Sequence, residues 1–200
     1  MRRLFFQMMS ILGDTKINTL GMVALGLLTE GPSHPYEMYQ VLMRRREDVI
    51  VKLRPGSLYH AIAKLAESGF VRATGTERDG NRPERTTYEI TRDGRHLLES
   101  MVGSHLAHPV NEFPIFPVAV AQAQRLPKAD ALHHFKYRLS VLEREVSVMK
   151  SAYQELIDGG KPQHVILDLD YLIVMRESEI AWLTTTITAL ESGQLEWTTA

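Results

Sequence analysis

The sequence predicts a mainly α protein: a winged helix-turn-helix domain followed by an antiparallel, coiled-coil-like helical domain that dimerises. Three observations predict it. Three helical segments precede two β-like segments that flank a turn-rich loop with three arginines. A stretch containing Gly103, Pro109, Pro114 and Pro117 follows a fourth helix. Beyond it, apolar residues step three and four at a time for more than three heptads on each of two helices.

The helices can be justified in order. Ile17, Leu20, Val23, Ala24, Leu27 and Leu28 fall at helical spacing, and Gly31-Pro32 ends the first helix. The second begins near Ser33-His34-Pro35, with His34 as its cap, proline at the first position and Glu37 three residues beyond the cap. Its buried stripe is Met38, Val41 and Leu42, and Arg44-Arg45-Arg46 form its exposed end. The third runs from Arg54-Pro55-Gly56 to Ser68, where Gly69 terminates it. Leu58, Ile62 and Leu65 make one face of it; Ser57, His60, Ala61 and Lys64 make another, small and polar. Phe70–Thr74 and Thr86–Thr91 read as strands, the second with Tyr88 and Ile90 alternating with Thr87 and Glu89. Residues 77–85 between them are turn-rich. A fourth helix from Thr91 carries Leu97, Leu98, Met101 and Val102.

The expected organisation is an N-terminal arm at 1–16, the winged helix at 17–103, a linker at 104–126 and the helical domain at 127–200. In the last, Leu132, Phe135, Leu139, Leu142, Val146, Met149, Tyr153 and Leu156 form one seam. Ile166, Leu169, Ile173, Arg176, Ile180, Leu183, Ile187 and Leu190 form the other. With Asp158-Gly159-Gly160-Lys161-Pro162 as the turn, the pair should close as an antiparallel hairpin. Dimerisation is expected through Leu139, Leu142, Val146, Met149, Ile173, Arg176, Ile180, Leu183 and Ile187. Arg176 is the one polar residue in the seam, and Glu177 or Glu179 of a second chain is its expected partner.

Composition narrows the class. Two hundred residues with no cysteine exclude disulfides and thiolate metal sites and fit a reducing cytoplasm. The net charge of −1 divides into +3 over residues 1–103 and −4 over 104–200, which would suit nucleic acid at one end only. The apolar opening, Met1 to Leu12, is broken by Gln7 and Ser10 and lacks a small-residue cleavage site, so it reads as an amphipathic arm, not an export signal. No apolar run is long enough to cross a membrane. No phosphate loop, paired-carboxylate motif, nucleophile elbow or H-E-x-x-H is present, which argues against an enzyme and against a cofactor. His105-x-x-His108 and His133-His134 lack a third ligand at metal-binding spacing. Trp182, Trp197, Tyr171, Tyr153 and Phe135 suit core or interface packing better than a ligand pocket. Asp168 and Asp170 complement a helix dipole.

One arrangement points to double-stranded DNA. A helix entering the major groove needs small residues for close approach and donors for bases and phosphates. Ser57, His60 and Lys64 share a face of the third helix, and Tyr59 stands near its start. Gly56 and Ser57 lie where free backbone N–H groups favour an anion. Arg78, Arg82 and Arg85 are placed to reach the sugar-phosphate backbone or the minor groove. The same residues also fit an ordinary surface of a small α+β domain, and pattern alone does not choose. A winged-helix adaptor between proteins and a small-molecule-binding protein are the rival readings.

Leu20–Leu28, Glu30-Gly31-Pro32, His34-Pro35-Tyr36-Glu37, Arg54–Tyr59, Lys64–Val71 and Gly80–Arg95 resemble the PadR family of bacterial transcriptional regulators. The second half is similar to the virulence-activator-like helical domain of longer members, through Leu169-Asp170-Tyr171, Glu177, Glu179, Trp182 and Leu183. The resemblance implies a homodimeric repressor on a pseudo-palindromic operator, released in some members by a small aromatic effector such as a phenolic acid. It places DNA contact on Gly56, Ser57, Leu58 and Tyr59 and on the wing from Arg82 to Arg85; Tyr36 is a further candidate DNA contact. Two positions depart from the family pattern: Pro35 replaces a common glycine, and Glu89 replaces a common basic residue.

Overall fold

The computed structural model describes residues 17–77 and 85–198, which divide into two compact units, 1–111 and 112–200. The expected arm at 1–16 and the wing tip with Arg78 and Arg82 lie outside the described residues.

In the first unit, α1 (Thr19–Leu28) starts on Asn18, whose side chain accepts from the Gly21 N–H at 3.0 Å. Gly21 and Gly26 weaken this helix by roughly 0.5–1 kcal/mol each. Burial of Leu20, Leu25, Leu27 and Leu28 outweighs that, at roughly 1.5–3 kcal/mol per side chain. Helix α2 (Pro35–Arg44) has the expected capping box: the Tyr36 N–H donates to His34 Nδ1 at 3.1 Å, and the His34 N–H to Glu37 at 3.4 Å. A short 3-10 turn, Glu47–Val49, leads to α3 (Pro55–Glu67). Gly69, at φ +75°, ends α3 in a Schellman motif, with Phe70 N–H bonded to the Leu65 carbonyl and Gly69 N–H to Ala66.

Strands β1 (Val71–Glu77) and β2 (Arg85–Ile90) pair antiparallel, Val71 opposite Ile90 and Ala73 opposite Tyr88, with a bulge between Ala73 and Gly75. Ser33 adds a third, one-residue strand by exchanging two 3.0 Å hydrogen bonds with Tyr88. Helix α4 (Arg92–Ala107) is capped by Thr91, whose hydroxyl accepts from Gly94 N–H at 3.1 Å and reaches the Gly69 carbonyl at 2.9 Å. The core joins all these elements: Leu25 and Leu28, Met38 and Leu42, Leu58, Ile62 and Leu65, Val71, Ile90, Leu97 and Met101. Buried leucines at helical spacing and a strand pair anchored by the buried Val71 and Ile90 thus produce the expected winged helix.

The stretch expected to be a linker is more ordered than its prolines suggest. Helix α4 extends to Ala107, and a further helix, α5 (Ile115–Gln122), is followed by a 3-10 turn at Ala123–Arg125. Pro114 caps α5 and Pro117 sits in its first turn, where backbone N–H groups have no helical acceptor to lose.

In the second unit, α6 (Lys128–Asp158) and α7 (Leu167–Ser192) form the antiparallel hairpin, bridged by Lys136–Glu191 at 2.5 Å and Lys150–Glu177 at 2.6 Å. Gly160, at φ +79°, and a 3-10 turn at Gln163–Val165 make the connection. The seam closes the hairpin. Leu142, Val146, Ile173, Leu183 and Ile187 are buried by this chain's own helices, and Leu139 and Ile180 pack half-buried against the same core. Met149 and Arg176 are also partly covered. A row of side chains has one inner side, and the hairpin occupies it. Arg176 finds partners within the chain, Glu145 at 3.5 Å and Glu179 at 3.9 Å. Phe116, Val120 and Ala123 pack on the end of the hairpin near Ala131, Phe135, Leu183 and Leu190.

Candidate nucleic-acid interface

Helix α3 buries Leu58, Ala61, Ile62 and Leu65, an i, i+3, i+4, i+7 stripe. Ala61 therefore belongs to the core, at 6% exposure, and not to the polar face expected from spacing. A small residue beside Leu58 and Leu65 lets the helix approach its neighbours; its size gave no sign of which face it would take. The outward face is Gly56, Ser57, Tyr59, His60 and Lys64, all exposed. Burial on one side thus presents the other side as a continuous surface.

The start of α3 is open. Proline at the first position has no N–H, Arg54 makes no side-chain cap, and the first helical hydrogen bond runs from Leu58 N–H to the Arg54 carbonyl at 3.1 Å. The N–H groups of Gly56 and Ser57 therefore precede the helical ladder and face outward with the positive end of the dipole. At Gly56 a Cβ would meet nothing within 4 Å, so packing within the chain does not require glycine there. The space is available to an approaching group from outside.

Charge around this face is mainly positive. Lys52, Arg54, Lys64 and Arg85 are exposed and have no ion-pair partner among the described residues. Glu67, at the far end, is the single acid on α3. Lys52 and Arg54 add to the residues expected to touch DNA, and two cations just ahead of Pro55 are their signal in the sequence. Other cations are committed elsewhere. Arg45 makes a bidentate pair with Glu30 at 2.5 and 2.7 Å, and that bond raises its pKa above the ordinary arginine value. Arg72 pairs with Glu89 across the strands. The departure at Glu89 thus removes two positive charges from the wing, its own position's and that of Arg72.

Tyr36, on the first turn of α2, is 52% exposed, and Tyr59 is 45% exposed. His34 stands edge-on to Tyr59, with ring centroids 6.0 Å apart. This link between the starts of α2 and α3 had no sequence signal. Arg85 lies exposed at the start of β2. The fold therefore brings Gly56, Ser57, Tyr59, His60 and Lys64 onto one face, with Tyr36 on a neighbouring helix start and Arg85 at the wing root. Among the described residues no three His, Cys, Asp or Glu side chains come together to hold a metal ion, and no helix is long and apolar enough to cross a membrane.

Comparison with known proteins agrees with this architecture. The chain is similar in fold to Bacillus subtilis PadR in complex with operator DNA, with TM-score 0.73 and 19% identity over 86% of this chain and 99% of that one. It is also similar to the p-coumaric acid complex of Bacillus subtilis PadR, with TM-score 0.69 and 17% identity over 88% of this chain and 97% of that one. A PadR-like transcriptional regulator from Bacillus cereus gives TM-score 0.62 and 18% identity, covering 88% and 99%. No curated protein matches the sequence. A family model, the transcriptional regulator PadR-like family, matches residues 24–100, which include the helix and strands described above. The chain thus carries, over residues 24–100, a domain of the PadR-like family of transcriptional regulators.

Proposed function

We propose that this protein represses transcription by binding a pseudo-palindromic operator in double-stranded DNA as a homodimer, and that a small aromatic effector releases it. The observation that carries the reading is the outward face of α3. Its uncapped start, its glycine without an internal reason and its exposed Lys64, without an ion-pair partner among the described residues, are the features a duplex-reading helix needs. The operator DNA and p-coumaric acid held by Bacillus subtilis PadR in its crystal structures support the choice of ligands. In this reading the second unit is the virulence-activator-like dimerisation domain. A two-fold dimer would address half-sites about one DNA turn, on the order of 34 Å, apart.

Binding to the gene's own upstream duplex, followed by gel shift across a salt series, tests the reading. Lys64→Ala and Arg82→Ala should weaken binding similarly on all sequences, each reducing the salt slope by about 1. Ser57→Ala or His60→Ala should instead relax sequence preference. Unchanged affinity and slope in all four variants would sink the assignment. A footprint over one asymmetric half-site would count against the dimer.

A further inference from the structure

We propose that His34 is a positioning residue for the DNA-reading face, holding the start of α2 beside Tyr59 while its imidazole is neutral, so that acid weakens discrimination between operator and unrelated DNA. The proposal rests on the reading of α3 and the wing as a DNA interface.

Two helix starts meet at this ring, and a charge on a third element acts on it. On α2, Nδ1 accepts the Tyr36 N–H at 3.1 Å, and Glu37 takes the His34 N–H at 3.4 Å. On α3, Tyr59 lies edge-on at 6.0 Å with an interplanar angle of 77°. On β2, Tyr88 is hydrogen-bonded to the adjacent Ser33, and Arg85 is near enough to act on the imidazole. The half-buried histidine therefore ties the backbone of one candidate contact to the ring of a second, with the adjacent Ser33 bridged to β2 and Arg85 acting on the ring through its charge.

Its role depends on one lone pair. Nδ1 can accept the Tyr36 N–H only when it carries no proton. Protonation would turn it into a donor facing a donor, and would place a cation at a helix N-terminus beside Arg85. Glu37 is the opposing charge among the groups that face it; Tyr59 contributes its ring. Burial is the largest influence and lowers the pKa of His34 below its ordinary 6.5; Glu37 raises it, and Arg85 lowers it further. The unfolded chain therefore takes up this proton first. The cap's contribution to stability is full above pH 6.5 and is lost as pH falls below 6.5 and through the lower folded value, where the cap itself opens.

The test compares the tightest duplex selected by the wild-type protein from a random library at about pH 7.5 with a scrambled duplex of the same length. A general change in charge with pH alters affinity for every duplex, so the ratio of the two affinities, compared between wild type and variant, is the readout. From about pH 7.5 down to the pH at which NMR shows the His34 imidazole charged, the wild-type ratio should fall about threefold to tenfold. His34→Asn, which supplies a cap oxygen that does not titrate, should hold the ratio within about twofold. By NMR, His34 should titrate below 6.5 in the free protein and no higher in the operator complex. Parallel profiles for the two proteins would overturn the proposal. So would a His34 pKa that rises on operator binding, the mark of a charged ring gripping phosphate. A folded His34→Asn protein without operator binding at about pH 7.5 would overturn the cap's role. If that variant does not fold, the NMR titration of the wild type still decides. Failure of the wild type to select any duplex would sink the DNA reading as well, which separates the two failures.

Discussion

Gly56 and Gly94 both lie in the first turn of a helix, yet their surroundings are opposite. A Cβ at Gly94 would stand 2.1 Å from the Phe70 carbonyl oxygen and 2.9 Å from Ile90, whereas at Gly56 it would meet nothing within 4 Å. The Phe70 oxygen is backbone, already bonded to Thr91, and cannot yield cheaply. Gly94→Ala should therefore lower stability by about 1–3 kcal/mol in denaturant unfolding. Gly56→Ala should leave stability unchanged or raise it by up to about 1 kcal/mol, because alanine is the better helix former. The same Gly56→Ala change should weaken duplex binding by narrowing the approach to α3. Affinity equal to wild type would remove Gly56 from the interface.

Among the elements, the hairpin of α6 and α7 shows how one periodic pattern can be committed to a single use. Leu183 and Leu190 are fully buried between the helices, and Trp182 beside them makes edge-on contacts with Phe116 and Phe135 near 6 Å. Arg138 lies 3.7 Å above the Phe116 ring and pairs with Glu179, fastening α5, α6 and α7 together. Leu183→Ala should cost about 2–5 kcal/mol of the second unit's stability in urea or thermal unfolding, through the cavity it leaves. A change below about 1 kcal/mol would mean that the seam is not the packed core described.

At the level of the whole molecule, a homodimer requires a surface that the hairpin has not already used. On α7 the outward residues Tyr171, Val174 and Met175 remain exposed. The full chain should sediment at roughly twice 22.7 kDa. Met175→Glu should shift it toward the monomer with helicity unchanged, whereas a substitution at Leu183 should unfold the unit before it separates a dimer. A monomeric wild-type mass would remove the pairing of DNA-reading units from the proposed function. A dimer indifferent to Met175→Glu would place the contact elsewhere.

The sequence by itself determined the order of the winged-helix elements and of the two hairpin helices, the cap at His34, the end at Gly69, the turn around Gly160, and the heptad seams. These depend on spacing between neighbours along the chain, and spacing is written in the sequence. The outward residues of α3 were legible for the same reason, apart from Ala61, whose small size suits either side of a helix. The prolines at 114 and 117 misled because their effect depends on whether they fall in a helix's first turn or its middle. Only the tertiary structure decided which partners a periodic face would meet. It gave the seam to the chain's own hairpin, gave Arg176 to Glu145 and Glu179, spent Arg72 on Glu89, and set His34 against Tyr59. Those outcomes join residues far apart in sequence, where burial and charge compensation are settled by the packed core as a whole.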